Sequence, residues 1–345
     1  MGFIIPYLPI MKPFLKTAGM IAAMLCAWLH STAIPVQTTL ETRQVALSQH
    51  TKTGDRTGRL RFLGMLELPG VTRNGQRLSQ LSGLAWDDDD GILYALSDKG
   101  GLFHLQPLFE GDILTGVKLL RALPLRELGS DKPLRGWRID AEALDIVNGR
   151  NGRRGDAELI IGTERVPQIM RFRPDGYAIG AHTLPAPIDK AGSFRDPNKI
   201  LEAVCADSAL GVLATPEVPL KTERGGYNRI FSVTGRSWLY PSAPGDRITA
   251  MECLGKGEVM VLQQNYQTPF GQVVVMLRRV QLTPGSTTQP LKPETIVTLD
   301  SNKGFQIDNF EGLTRHRGNR FFMVSDNNDL FVQRTLLMYF ELSDD

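Results

Sequence analysis

Charge of one sign is what this chain lacks most plainly. Its 345 residues carry 39 Lys and Arg against 37 Asp and Glu. Lys12 and Lys16 lie in an N-terminal leader without an acidic residue, so beyond residue 33 the count is 37 against 37. A neutral chain has no general electrostatic footprint for nucleic acid, and no nucleic-acid partner is expected. Cysteine is scarce too. Only Cys205 and Cys253 follow the leader, too few for a disulfide framework, and neither has the C-x-x-C spacing of a zinc site. They read either as two small buried apolar side chains or as one bridge. Histidine occurs outside the leader only at positions 50, 104, 182 and 316. The chain has no G-x-S-x-G, H-E-x-x-H, P-loop or strand-flanked G-x-G-x-x-G, which removes motif support for the corresponding hydrolase, zinc-peptidase, nucleotide and dinucleotide classes.

Long apolar runs are also missing, except one. Met11-Lys12-Pro13-Phe14-Leu15-Lys16 is a short basic stretch, Thr17 to Leu29 is apolar, and Ser31-Thr32-Ala33 supplies small residues. This is the pattern of a secretory signal peptide over residues 1–33. The alternative, an uncleaved anchor, is short of the roughly 20 residues a span needs. Leu25 occupies the position where a lipid-modified Cys26 would want a small residue. A periplasmic or secreted chain is expected, with no stable membrane span after cleavage. Residues 34–58 are polar and patternless, and read as a flexible mature N-terminus ahead of a single domain over 59–345.

Helical periodicity is absent after residue 58. In its place stand short runs such as Ile92–Leu96, Leu159–Gly162, Val259–Leu262 and Phe321–Val324, broken by Gly, Pro, Asn and Asp. Many short strands at close spacing predict an all-β sandwich, barrel or propeller. A repeat decides among them. Five segments begin with a polar, a small and an aliphatic residue, and close an apolar strand with a polar pair. They run from Ser82-Gly83-Leu84 to Ser97-Asp98, from Glu142-Ala143-Leu144 to Glu164-Arg165, and from Glu202-Ala203-Val204 to Pro216-Glu217. Glu252-Cys253-Leu254 to Gln264-Asn265 and Glu311-Gly312-Leu313 to Ser325-Asp326 complete the set. The leading residues lie 60, 60, 50 and 59 positions apart. That is room for the four strands of a β-propeller blade. Five blades are expected, with Arg59–Leu68 supplying the last strand of the fifth; six is the alternative if residues 41–81 contribute more.

In such a ring the innermost strands line a channel. The repeat places Ser82, Glu142, Glu202, Glu252 and Glu311 at one rim, and antiparallel pairing brings Asp98, Glu164, Glu217 and Asp326 beside them. Carboxylates crowded together must be neutralised by Lys or Arg, hold protons, or bind a cation. Ca²⁺, which takes six to eight oxygens, suits such a set better than Mg²⁺. The competing readings are a salt-bridge network with Lys99, Arg138, Arg165 and Arg315, and carboxylates simply exposed to solvent. Asp87-Asp88-Asp89-Asp90 reads as a solvated hairpin, and Arg150-Asn151-Gly152-Arg153-Arg154 as a surface loop able to attract an anion.

Ser82-Gly83-Leu84-Ala85-Trp86-Asp87, Leu93-Tyr94-Ala95-Leu96-Ser97-Asp98 and Asp140-Ala141-Glu142-Ala143-Leu144 together resemble the bacterial phytase-like family, described as having the esterase-like activity of phytase. Glu164-Arg165, Glu217-Val218-Pro219-Leu220 and the segments Asn309–Leu313 and Val324–Asn328 extend the resemblance over about residues 60–342. It implies an exported propeller that hydrolyses phosphate or other esters with Ca²⁺ as cofactor. On that reading Glu142, Glu164, Glu311 and Asp326 are ligands or bases, Asp98, Glu202, Glu217 and Glu252 further ligands, and Lys99 and Arg165 contacts to phosphate. The pattern departs at Gln264-Asn265, where an acidic-basic pair is expected, and at Ala143 and Ala203, which replace glycines. The rival reading is a non-catalytic propeller that binds a small molecule or an envelope partner. A monomer is expected.

Overall fold

The computed structural model describes residues 1–3, 37–135, 140–266 and 271–343. The chain divides into Met1–Ile34 and Pro35–Asp345, and the predicted signal peptide lies outside the described residues apart from the first three. Among the described residues no helix is long and apolar enough to cross a membrane.

Pro35–Asp345 is an all-β ring of five sheets. From the channel outward, blade 1 is Leu81–Asp87, Ile92–Ser97, Gly101–Glu110 and Ile113–Pro124. Blade 2 is Ala141–Val147, Glu158–Thr163, Gln168–Phe172 and Ala178–His182. Blade 3 is Ala203–Asp207, Gly211–Thr215, Tyr227–Ser232 and Ser237–Pro241, and Thr287–Pro290 adds a parallel fifth strand from the blade 4 excursion. Blade 4 is Asp246–Gly255, Glu258–Tyr266, Val273–Gln281 and Glu294–Asp300. Blade 5 is Asn309–Arg317, Arg320–Asp326, Leu336–Leu342 and, from the other end of the sequence, Leu60–Glu67. The expected closure is therefore observed, with Leu342 opposite Leu60 and Leu336 opposite Glu67. The five innermost strands touch one another in ring order, blade 5 meeting blade 1.

Strand alternation explains how the ring holds together. Successive side chains point to opposite faces of a sheet, so each blade feeds two seams. In blade 2, Leu159 and Ile161 pack toward blade 1, while Ile160 packs toward blade 3. In blade 5, Phe321 and Met323 face blade 4, and Phe322 and Val324 face blade 1. The core is thus a set of apolar seams between blades, which explains why the strands read as continuous hydrophobic runs.

One reading changes, and one open alternative is decided. Residues 37–58 are not a loose lead-in. Thr38–Thr39 pairs with the outer strand of blade 1, while Arg43–Gln44 and Arg56–Thr57 pair with Leu60–Glu67. Val45 and Leu47 are buried. Two-residue strands carry too little pattern to be seen in sequence. Cys205 and Cys253 form a disulfide, joining the innermost strands of blades 3 and 4 across 48 residues.

Candidate active site at one mouth of the channel

A β-bulge shapes the rim. Pairing between the two inner strands skips one residue between Leu81 and Gly83, Ala141 and Ala143, Ile248 and Ala250, and Phe310 and Gly312. The skipped residues are Ser82, Glu142, Thr249 and Glu311. In blade 3, Glu202 directly precedes its strand. A bulge re-aims the extra side chain and ends regular pairing, so the start of each inner strand is directed at the mouth rather than into a seam. Glycine follows the bulge where the strands approach most closely. A Cβ on Gly83 would lie 2.6 Å from Leu144 Cβ, and one on Gly312 would lie 2.7 Å from Val324 Cγ1.

Glu142, Glu202, Thr249 and Glu311 line a cavity of about 650 Å³, whereas Ser82, predicted for the same rim, is buried and does not line it. Seven of the predicted carboxylates meet there: Asp98, Glu142, Glu164, Glu202, Glu217, Glu311 and Asp326. Asp140, which lies two positions before Glu142, is the eighth. The position two before the bulge is Gln80 in blade 1, Arg247 in blade 4 and Asn309 in blade 5. These are polar, although Ile200 holds the corresponding place before Glu202 in blade 3. Lys99 and Arg165 also border the cavity, joined by Lys199 and Arg247, which the repeat had not singled out. Arg138 lies outside the described residues.

Glu252 does not belong to this set. The blade 4 equivalent of the rim glutamates is Thr249, three residues earlier, and Gln264 stands where the other blades have Asp98, Glu164, Glu217 and Asp326. Thr249 and Gln264 both donate to the carbonyl of Phe310, with Thr249 Oγ1 at 2.9 Å, so blade 4 spends its rim side chains on the neighbouring backbone. Glu252 lies further along the ten-residue strand. It lines a second cavity of about 310 Å³ at the other mouth, with Asp145, Arg150 and Arg315.

The eight acids of the first cavity fall into two groups. Asp98 pairs with Lys99 at 3.1 Å, Asp140 pairs with Arg165, and Glu217 accepts from Lys199 at 2.6 Å and lies 3.3 Å from Arg247. Among the described residues, no Lys or Arg nitrogen lies within the 4.0 Å ion-pair distance of Glu142, Glu164, Glu202, Glu311 or Asp326. Their partners are neutral donors: Asn309 Nδ2 reaches Glu311 at 2.6 Å, and the Asn328 N–H reaches Asp326 at 2.7 Å.

Titration follows from this. Burial, then Glu164 and Asp98, hold the Glu142 carboxyl well above its ordinary range. Burial, then Glu164 and Glu217, do the same for Glu202. Burial and Asp326 raise Glu311, while Asp326, raised chiefly by burial, reaches about 7. Backbone strain gathers at the same rim. Gln80, Arg165, Asn328 and Asp329 are non-glycine residues with φ between 46° and 58°, a conformation that persists only where the surroundings enforce it.

Ligand oxygens of Asp140, Glu142 and Glu164 all lie within 4.8 Å of one another. Oxygens at 2.3–2.6 Å from one calcium ion are at most about 5 Å apart, so this triad fits such an ion. The Asp140 carboxylate is in turn oriented by Arg165.

The far mouth also absorbs two sequence motifs. Asp89 accepts from the N–H groups of Asn151 and Gly152 at 2.8 and 3.0 Å, and Asp90 accepts from Gly155 at 3.1 Å. The acidic hairpin is therefore the binding partner of the basic loop.

No curated protein matches the chain. Several solved structures resemble it at low scores. The RRP9 WD40 repeats have 9% identity and a TM-score of 0.43 over 87% of this chain and 100% of that one. The Cps50 (Swd1) β-propeller domain of Myceliophteria thermophila has 10% identity and a TM-score of 0.39 over 89% and 100%. A gluconolactonase of Xanthomonas campestris has 13% identity and a TM-score of 0.39 over 87% and 100%. At these scores none carries an argument about activity. The family model described as "Phytase-like: Esterase-like activity of phytase", by contrast, matches residues 76–329, most of the chain and four complete blades, and the chain belongs to that family.

Proposed function

We propose that the acidic mouth binds Ca²⁺ and hydrolyses phosphate or other esters outside the cytoplasm. The observation that carries this reading is the group of five rim carboxylates without a cationic partner among the described residues, next to a triad of calcium-compatible geometry. A bound calcium ion would supply Lewis-acid polarisation of the ester oxygen. Asp140, Glu142 and Glu164 would hold it. Lys99 and Arg165, whose side chains are 68% and 54% exposed, stay tethered to Asp98 and Asp140 and can reach an anionic group. Burial and Asp326 raise Glu311, and burial, then Asp98 and Asp329, raise Asp326, so one can accept the proton of an attacking water while the other protonates the leaving oxygen. The leader pattern and the Cys205–Cys253 bridge support export, because disulfides persist in oxidising compartments.

The test is turnover of phosphate monoesters and carboxylic esters by the purified protein, with Ca²⁺ and with EDTA. Turnover is expected only with Ca²⁺. A loss of no more than about twofold in E142Q/E311Q would sink the reading. The rival reading is favoured by the cavity lining itself, which includes no serine, cysteine or histidine among the described residues. In that reading the mouth binds a small molecule or envelope partner without catalysis. Thermal stabilisation by Ca²⁺ with no ester turned over would support it.

A further inference from the structure

At the far mouth the acidic hairpin clamps the basic loop and so positions Arg150. The Gly149 carbonyl accepts from the Asp88 and Asp89 N–H groups at 2.8 and 3.2 Å, and Asp89 accepts in turn from Asn151 and Gly152. Arg150 sits between these anchors and lines the cavity of about 310 Å³ with Asp145, Glu252 and Arg315. Charges from blades 2, 4 and 5 thus meet in one small space. They do not pair: among the described residues no Arg nitrogen lies within 4.0 Å of either carboxylate. Backbone groups hold them apart. Asp145 accepts the Ala206 N–H at 2.6 Å. Arg150 donates to the carbonyl of Arg315, and Arg315 Nη1 donates to that of Leu254 at 3.3 Å. Arg315 Nε is buried without a hydrogen-bond partner among the described residues, and a buried charged donor without an acceptor is costly.

We propose that the far mouth binds a small zwitterion of the α-amino acid type, its carboxylate on Arg150 and Arg315 and its ammonium on Glu252 and Asp145. Two arginines and two acids that line one cavity without touching leave a gap that only a ligand of both signs fills. A simple anion placed on the arginines would face Asp145, and a simple cation placed on the acids would face both guanidiniums. Guanidinium forks match a carboxylate in shape as well as charge. Glu252 already draws positive charge, since burial and Asp145 raise its affinity for a proton; an ammonium would take that proton's place. The volume lies at the low end of the range for ligand sites, which restricts the occupant to a small molecule. This site is separate from the acidic mouth and does not depend on reading that mouth as an ester site.

The experiment is calorimetric binding of the proteinogenic α-amino acids to the full chain in EDTA, which keeps Ca²⁺ from bridging them to the acidic mouth. At least one is expected to bind and to raise Tm. The N-acetyl and amide derivatives of the tightest binder each lack one charge, and each should bind at least about tenfold more weakly. Arg150→Gln, at an exposed loop position, and Glu252→Gln should each weaken the parent amino acid by a similar factor. Arg150→Gln should do so without lowering Tm in the absence of amino acid, which keeps the test clear of a folding defect. Absence of binding by every amino acid, equal binding of either derivative, or an unchanged Kd in Arg150→Gln would each overturn the proposal. Equal binding of the N-acetyl derivative would make the mouth a plain anion site, and equal binding of the amide a plain cation site.

Discussion

The two mouths of the channel are built by the same five strands and hold the same kinds of side chain, yet they solve opposite charge problems. Among the described residues, eight carboxylates face four cations at one mouth; at the other Asp145 and Glu252 face Arg150 and Arg315. The second set is matched in number, two Arg for two acids, although among the described residues no Arg nitrogen comes within 4.0 Å of either carboxylate. Asp145 also accepts the Ala206 N–H at 2.6 Å, and the nearby disulfide ties blade 3 to blade 4 through Cys253. The first set is balanced only if protons or an added cation complete it. Acidic residues therefore do not mark a site by their number; what marks it is the shortfall of partners, and that shortfall lies at the bulged ends of the strands.

This contrast can be broken in four ways. The largest effect is expected from C205A/C253A, which should cost about 3–4 kcal/mol of stability for a 48-residue loop, measured by denaturant unfolding. The Ca²⁺-dependent rise in Tm should survive, since the bridge serves the other mouth; its loss would show the mouths to be coupled. Next, E142Q/E311Q should lower ester turnover at least 100-fold, about 2.7 kcal/mol in the barrier, whereas D145N/E252Q should stay within about threefold of wild type. Equal losses would end the distinction.

Thr249→Glu should sharpen it. A carboxylate there loses the hydrogen bond to Phe310 and joins a crowded acidic rim, so stability without Ca²⁺ should fall by about 1–3 kcal/mol, with a larger recovery on adding Ca²⁺ than in wild type. The smallest effect concerns pH. Burial, then Asp145, raises Glu252 to about 8, and burial raises Asp145 to about 6. Both values exceed those of the unfolded chain, so the native state binds more protons and stability declines as pH rises from about 4 to 8. Glu252→Gln should reduce that decline by roughly 1–2 kcal/mol, seen as a flatter dependence of Tm on pH. An unchanged profile would show that Glu252 ionises without cost.

Much of the architecture was legible because propeller seams demand apolar runs on both strand faces and the bulge demands a small residue after it. That repeat gave five blades, the closing strand and seven of the eight rim carboxylates. It failed in blade 4 for a local reason. Both Thr249-Ala250-Met251 and Glu252-Cys253-Leu254 follow the polar-small-aliphatic pattern, and both lie on one long strand. Spacing separates them: the rim residue precedes the polar residue closing the second strand by 16, 15 and 15 positions in blades 1, 3 and 5, by 15 from Thr249 to Gln264, and by only 12 from Glu252. The sequence left the cysteines open between a bridge and two buried side chains, since two residues 48 apart carry no record of adjacent strands. The engagement of Lys199 and Arg247 with Glu217 depends on loop geometry that no periodicity reports.

The ring closes by pairing Leu60 with Leu342, 282 positions later. A ribosome adding 5–20 residues per second would leave the Leu60–Glu67 segment without its partner for roughly 15–55 s, so the last blade is completed only after nearly the whole chain has been made. On the proposed export of this chain through a membrane channel, that delay is an advantage: the strand that locks the structure is emitted early, and its counterpart arrives late enough for transport to finish first.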